Sequence, residues 1–296
     1  MKIRDIKNQD NFGLPTHWVI DWLLHVLQKP ASFLITDSEY QLNEVEQSQF
    51  EAGIAQMRSG TPLAYIIGKQ AFWSLEFEVN EHTLIPRPDT EVLVEQVLAW
   101  IDSKPQTIKA TAFNNDKATK RLLDLGTGSG CIGISLAHEL QAIAPNGWQV
   151  TAIDYSKPAL EVATRNAALN DVTNIEFIHS NWYSALIDSE HTRNKPLFDV
   201  IVSNPPYIVA SDEHLENLKS EPLSALVAPD NGLADIKLIA EQGRNYLVDG
   251  GLLAVEHGYD QGDRVQKIFK GLGYKQVETI KDYGGNDRVT LAIYNK

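Results

Sequence analysis

From Arg121 onwards, short apolar runs of strand character alternate with segments of helical period, and this alternation restricts the fold more than any other feature. Strand candidates are 121–125, 148–153, 175–179, 198–203, 251–256, 275–280 and 288–294, with helical segments near 131–140, 157–169, 232–247 and 261–271. Parallel neighbours need a long crossover, and a helix supplies it. The predicted fold is α/β, a doubly wound parallel sheet with ligands at the C-terminal ends of its strands. The final two strand candidates break the pattern. Only Lys281-Asp282-Tyr283-Gly284-Gly285-Asn286-Asp287 joins them, too short for a crossover helix, so this pair is predicted antiparallel.

Residues 1–90 read as a separate unit. Leu14-Pro15-Thr16 opens a helical stretch, Trp18 to Leu27, whose apolar residues cover most of its circumference, as in a buried helix; Pro30 ends it. A second helix is expected from about Ser38 to Arg58, with Val45, Phe50, Ile54 and Met57 on one face and Ser59-Gly60 as its stop. Trp73, Leu75, Phe77 and Val79 then alternate with polar residues, the period of a strand, in a hairpin after Gly68. Ile85-Pro86-Arg87-Pro88-Asp89-Thr90-Glu91 is the junction, where Asp89 or Thr90 can cap a helix from Val92 to about Ile101. A rigid connector explains the two prolines but not the Arg87 between them. Residues 102–120 read as a solvated, mobile loop. The expected division is a helical domain over 1–69, hairpin and linker over 70–90, and the sheet domain over 91–296.

Composition narrows the classes. The net charge of −13 is spread along the chain: residues 1–90 alone hold 7 Lys/Arg against 12 Asp/Glu. Without a basic stripe to track phosphates, a duplex nucleic acid partner is disfavoured. One cysteine excludes an internal disulfide framework and any multi-thiolate metal site, and no metal is expected. No apolar stretch approaches the roughly 18 residues of a membrane span, and Met1-Lys2-Ile3-Arg4-Asp5 has no signal core behind it. The expected setting is cytoplasmic, away from membranes.

Leu122-Leu123-Asp124-Leu125-Gly126-Thr127-Gly128-Ser129-Gly130 is a strand running into a glycine-rich turn. Such glycines allow positive φ and close backbone approach to a ligand, with the next helix's amides facing the site. The dinucleotide spacing fails, since Cys131 stands where the third glycine belongs, and no Walker lysine follows. A plain tight turn is the competing reading. Val150-Thr151-Ala152-Ile153-Asp154 ends in an acid where such folds bond ribose hydroxyls, although Asp154 can equally cap the helix after Ser156-Lys157-Pro158. Turn and acid together point to a nucleoside-type ligand. Trp182, beyond the third strand, lies against an adenine face or belongs to the core. Cys131 reads as a small buried hydrophobe and His257 as structural.

In Phe198-Asp199-Val200-Ile201-Val202-Ser203-Asn204-Pro205-Pro206-Tyr207, a buried strand stops abruptly. Pro205 and Pro206 carry no N–H and fix φ, so the chain leaves the sheet stiff and extended. An amide, unspent carbonyls and an aromatic ring are thereby gathered in four residues.

With these pieces placed, the sequence resembles seven-stranded, Rossmann-like class I S-adenosylmethionine-dependent methyltransferases, and more narrowly the release factor glutamine methyltransferases. The resemblance rests on 60–68, Phe72-Trp73-Ser74-Leu75, Leu84 to Glu91, the glycine turn, Ser203 to Ile208, Glu256-His257-Gly258 and Asp282-Tyr283. It implies that Gly126, Thr127, Gly128, Ser129 and Gly130 line the methionine part of S-adenosyl-L-methionine, that Asp154 holds the ribose and that Trp182 and Asn204 contact the cofactor. Asn204, Pro205, Pro206 and Tyr207 would hold the substrate amide, with Asn204 and Pro205 as catalytic residues. The helical domain would dock the substrate, a class-1 peptide chain release factor whose Gly-Gly-Gln glutamine becomes N5-methylglutamine. Two alternatives remain: a glutamine methyltransferase of a ribosomal large-subunit protein, which the junction motif disfavours, and a nucleic acid amino-methyltransferase, which the acidic charge disfavours.

Overall fold

The computed structural model describes residues 1–8, 12–104, 119–186 and 196–296. Two compact units emerge: Met1–Lys69 with Glu216–Ser220, and Gln70–Leu215 with Glu221–Lys296.

The first unit is helical: α1 (Ile3–Asn8), α2 (Thr16–Leu27), α3 (Phe33–Thr36), α4 (Glu44–Arg58) and α5 (Leu63–Ile67). Helix α4 starts six residues later than expected. Asn43 accepts the Glu46 amide at 2.9 Å while Glu46 accepts the Asn43 amide at 2.9 Å, a capping box that fixes the boundary. Val45 therefore sits in the first turn and is exposed, not on the inward face with Phe50, Ile54 and Met57. Gly53 completes that face, because the Trp22 ring occupies the space a Cβ would need. The Trp22 indole N–H donates to the Phe50 carbonyl at 3.0 Å, locking α2 to α4. Helix α2 fully buries one face, Val19, Trp22, Leu23 and Leu27, with Ile20, Leu24 and Val26 half-buried; it ends at a left-handed Gln28, before Pro30.

A hairpin, β1 (Lys69–Phe72) and β2 (Leu75–Glu78), follows, lying in the second unit from Gln70 onward. Trp73 is not a strand residue. It occupies the turn at φ 56°, its amide donating to Glu91 and its indole to Glu139, each at 2.8 Å. Helix α6 (Glu91–Ser103) follows a 3-10 turn at Pro88–Thr90, and neither Asp89 nor Thr90 caps it. Both side chains are engaged elsewhere: Asp89 pairs with Arg288 at 3.3 Å, and the Thr90 hydroxyl accepts from Asn204. Of the loop expected over 102–120, residues 105–118 lie outside the described residues.

The remaining elements are β3 (Lys120–Leu125), α7 (Cys131–Ile143), β4 (Trp148–Asp154), α8 (Lys157–Leu169), β5 (Ile175–His179), β6 (Phe198–Ser203), α9 (Ala234–Gly243), β7 (Leu247–Glu256), α10 (Gly262–Gly271), β8 (Lys275–Lys281) and β9 (Asp287–Tyr294). They build a seven-stranded sheet, β5-β4-β3-β6-β7-β9-β8. β3 to β7 run parallel; β9 is antiparallel to both β7 and β8, as the short connection requires. Leu122, Val150, Val200 and Leu252 face one core, with α6 and α7, while Leu123, Ile153, Ile201 and Leu253 face the other, with α9 and α10. Burial on both faces explains the unbroken apolar runs. Helix α9 is shorter than the expected 232–247, and β7 starts at Leu247 rather than 251. The apolar residues Tyr246 and Leu247 continue α9's spacing but belong to β7's bulged entry, where Phe198 pairs Leu247 and Gly250 adopts φ 76°.

Candidate active site

The strand order reverses direction between β3 and β6, so the turns leaving these strands diverge and open a crevice at their C-terminal ends. A cavity of about 370 Å³ lies there. Its walls include Gly126, Thr127, Gly128 and Ser129 from the turn after β3, Asp154 from β4, Trp182 beyond β5, and Asn204 and Pro206 beyond β6.

Backbone geometry makes the glycine turn. Gly126, Gly128 and Gly130 have φ of 72°, 57° and 86°, values that Cβ-bearing residues rarely adopt. Gly126 and Thr127 amides donate to the Ile153 carbonyl at 2.8 and 2.9 Å, stitching the turn to β4. Gly130 is absent from the cavity wall. Its Cβ would lie 3.2 Å from Ala163 Cβ, so packing against α8 and its own helix demands that glycine. Asn166, wholly buried, donates to the Ser129 carbonyl at 2.8 Å and exchanges two hydrogen bonds with Glu78, tying turn to hairpin.

Two acids hold the turn. Asp154 Oδ2 accepts the Gly128 amide at 2.8 Å and Oδ1 accepts the Ser156 amide at 2.7 Å. Ser156, not Asp154, caps α8. Burial raises the Asp154 pKa, opposed by the amides of Ser156, Gly128 and Tyr155. Each carboxylate oxygen keeps a lone pair for a further donor. Asp124, overlooked as part of an apolar strand, is fully buried: Oδ2 accepts the Thr127 hydroxyl at 2.6 Å and the Gly133 amide at 3.0 Å. Burial pushes its pKa up to about 7. An acid interrupting Leu122-Leu123 and Leu125 was the available signal.

Trp182 lies half in the core, and its ring sits 3.5 Å from where a Gly126 Cβ would be. The side chain therefore packs on the core with one part and lines the cavity with another. Open space lies above Gly128, where an added Cβ meets nothing within 4 Å. Bare glycine backbone, a carboxylate with spare lone pairs and an aromatic wall match the methionine, ribose and adenine of S-adenosyl-L-methionine in kind and in size.

At the far wall, Asn204 Nδ2 donates to Thr90 Oγ1 at 3.4 Å. Pro205 is buried and is not among the residues that line the cavity. Tyr207 is off the cavity wall. Its ring packs on the core, its hydroxyl donates to Glu256 Oε1 at 3.2 Å, and its carbonyl accepts from Gln261 at 3.0 Å. Arg87, unexplained as a connector residue, lines the cavity and pairs with buried Glu221. Glu221 also accepts the Ile85 amide at 3.0 Å, joining the two chain segments that form this rim.

His257 is buried, with Nε2 at 2.8 Å from Thr290 Oγ1 and Nδ1 at 2.9 Å from the Gly258 carbonyl; desolvation lowers its pKa. Both ring nitrogens are spent inside the fold. Burial pushes the Cys131 thiol up to about 12, which leaves it unreactive. Among the described residues no group of three His, Cys, Asp or Glu could hold a metal ion, and no helix is long and apolar enough to cross a membrane.

Comparison with known proteins matches residues 106–221 to the family model described as Methyltransferase small domain and residues 19–68 to that described as PrmC N-terminal domain. The release factor glutamine methyltransferase of Vibrio cholerae serotype O1 is 44% identical over 274 residues, covering 92% of this chain and 87% of the relative. The protein of that name from Escherichia coli K12 is 42% identical, covering 92% and 90%. Among solved structures, a methyltransferase from Pyrococcus furiosus shares the fold at a TM-score of 0.50 and 16% identity, covering 84% of this chain and all of that one. A helical N-terminal unit, a seven-stranded sheet with a glycine turn and an Asn-Pro-Pro-Tyr exit, and these identities along nearly the whole chain lead to one assignment: the chain belongs to the release factor glutamine methyltransferase family.

Proposed function

We propose that this enzyme transfers a methyl group from S-adenosyl-L-methionine to the side-chain amide nitrogen of the Gly-Gly-Gln glutamine in class-1 peptide chain release factors, giving N5-methylglutamine. One observation carries the reading: Asn204 and the Asp154–Gly128 bond lie on the walls of a single cavity. Gly126 to Ser129 would take the methionine part of the cofactor, with Gly130 shaping the turn, Asp154 the ribose and Trp182 the adenine side. When bound, the cofactor supplies an electrophilic sulfonium methyl.

An amide nitrogen is a poor nucleophile because its lone pair is delocalised into the carbonyl. Asn204 Oδ1 and the Pro205 carbonyl each accept one N–H of the substrate amide. Two acceptors fix the nitrogen in the cavity and favour its pyramidal, partly positive form over the planar ground state, and the strongly acidic methylated nitrogen then releases one proton to water. Pro205 and Pro206 keep those acceptors rigid, so orientation rather than a strong base carries the catalysis. Tyr207 holds the loop against the core. The unit spanning residues 1–69 docks the release factor, residues 70–90 form hairpin and linker, and residues 91–296 carry the chemistry. With a net charge of −13, the enzyme acts on protein without binding nucleic acid or membrane, in the cytoplasm.

Mass spectrometry of a release factor after incubation with enzyme and cofactor tests this. The expected product carries one added methyl, on the Gly-Gly-Gln glutamine. Methyl incorporation into rRNA, DNA or a ribosomal protein instead would replace the reading.

A further inference from the structure

Arg87 takes no part in the chemistry above, yet it is the only Lys or Arg among the described residues that line the cavity. Its backbone is fixed from both sides. Pro86 and Pro88 flank it, and at φ −106° and ψ 141° it holds the extended conformation that a following proline favours. Its head is fixed as well. Glu221 Oε1 accepts from Arg87 Nη2, and Glu221 Oε2 accepts the Ile85 amide at 3.0 Å, so both carboxylate oxygens are engaged. The two side chains are buried very unequally: Glu221 is 2% exposed and Arg87 40%. Burying a carboxylate is costly unless a cation and hydrogen bonds compensate it. Here the compensating cation stays on the open cavity wall. A guanidinium carries five N–H donors. One goes to Glu221, and the others meet no acceptor among the described residues.

We infer that Arg87 is a substrate-binding residue, its spare N–H donors taking a backbone carbonyl of the peptide that presents the glutamine. Three observations favour that guest over the carboxylate of the cofactor. The Arg87–Glu221 pair is neutral as a whole, so it attracts a second anion weakly and suits a neutral acceptor. Arg87 also precedes Thr90 in the same turn of chain, and the Thr90 hydroxyl holds Asn204 at 3.4 Å; the guanidinium thus belongs to the wall of the substrate amide. Finally, that wall is poor in donors. Pro86, Pro206 and Pro222 have no N–H, and the Ala225 amide is already given to the Pro222 carbonyl at 2.9 Å.

Glycine has no side chain, so a Gly-Gly-Gln segment can be recognised, beyond its one amide, only through its backbone. Asn204 supplies the acceptor for the amide, and Arg87 supplies the donor for the chain that carries it. Glu221 keeps that donor in place before the substrate arrives, which reduces the ordering needed on binding.

The inference rests on the proposed function of the site, and the experiment separates the two. Steady-state rates with a release factor as substrate are measured for wild type, Arg87→Met, Arg87→Lys and the double variant Arg87→Met with Glu221→Gln. Calorimetry gives the dissociation constant for S-adenosyl-L-methionine, and thermal melting reports folding. Loss of a hydrogen bond from a charged donor should raise KM for the release factor by about ten- to a hundredfold. The donor serves ground and transition states alike, so kcat should change by less than about threefold and cofactor affinity by less than about twofold. Arg87→Lys keeps the charge but loses the planar fork, and should recover part of the KM. Arg87→Met strands the buried Glu221 carboxylate; the double variant removes that charge too, and it decides alone should the single variant fail to fold. A KM within about twofold of wild type overturns the inference. So does a loss of cofactor affinity of about tenfold at unchanged KM, which would give the guanidinium to the cofactor's carboxylate. A KM that rises only in variants whose melting temperature falls would mark a structural role and overturn it as well. A wild-type enzyme that leaves the release factor unmethylated would instead overturn the reading of the site itself.

Discussion

The two walls of the cavity are built on opposite principles. The glycine turn presents backbone, held by carboxylates: Asp154 takes the Gly128 amide and Asp124 takes Thr127 and Gly133. The Asn204 exit presents side chains, Asn204 held by the Thr90 hydroxyl and followed by two prolines. The first wall suits a ligand common to many enzymes, because backbone cannot be changed by substitution. The second can be retuned one residue at a time, and in the proposed reading it selects the acceptor. The comparison also predicts different failures. Damage to the turn should chiefly weaken cofactor binding, whereas damage to the exit should chiefly slow turnover.

Asn204→Ala tests the second half of that statement most severely. Loss of one acceptor should cut kcat by about 100- to 1000-fold, in line with deletion of a preorganised partner for developing charge. Calorimetry should show a far smaller loss of cofactor affinity than of turnover, Asn204 being only one of the cofactor's contacts, and an equal loss would merge the two walls into one. Asp154→Ala probes the other wall: the dissociation constant for the cofactor should rise by about 10- to 100-fold, with a smaller change in kcat at saturation. If kcat fell and affinity held, the assignment of roles would be reversed.

Acidity distinguishes the walls more gently. Asp124 and Glu256 hold protons in the folded state up to about 7, against ordinary values of 3.8 and 4.5. Between those limits the native state binds more protons than the unfolded chain, so stability declines as pH rises from about 4 to about 7. Melting temperatures across that window should fall, and Asp124→Asn should flatten the slope. A rising melting temperature would contradict both burials. The smallest effect lies outside the cavity altogether. Asn43→Ala removes the α4 capping box and should cost about 1 kcal/mol of stability by denaturant titration, with cofactor affinity unchanged.

What could be read from the sequence follows the same division. The turn, its acid and the strand–helix alternation are local patterns, so period and spacing revealed them. Thr90 and Glu256 were invisible as partners of the exit: Thr90 and Asn204 are 114 positions apart, Tyr207 and Glu256 are 49 apart. Periodicity tells which face a residue occupies, not what stands across from it. Thr90 was read as a cap because Ser, Thr and Asp before a helix usually are caps; tertiary partners claimed its hydroxyl instead. Likewise Trp73 matched a strand's alternation but was drawn into the turn by Glu91 and Glu139. Arg87 was noticed as unexplained, and only Glu221, far along the chain, gives it a reason.

The placement of β9 has a consequence for biosynthesis. It lies between β7 and β8, although it is made after both. On a translating ribosome β7 therefore waits with one edge bare, and β8 has no neighbour at all, until residues through Tyr294 have emerged. An exposed edge of β7, whose Leu252 to Val255 run is wholly buried in the finished sheet, is an invitation to intermolecular pairing. The nascent chain is thus at its most aggregation-prone in the interval before β9 has emerged, and loss of β9 would leave that edge uncovered for good.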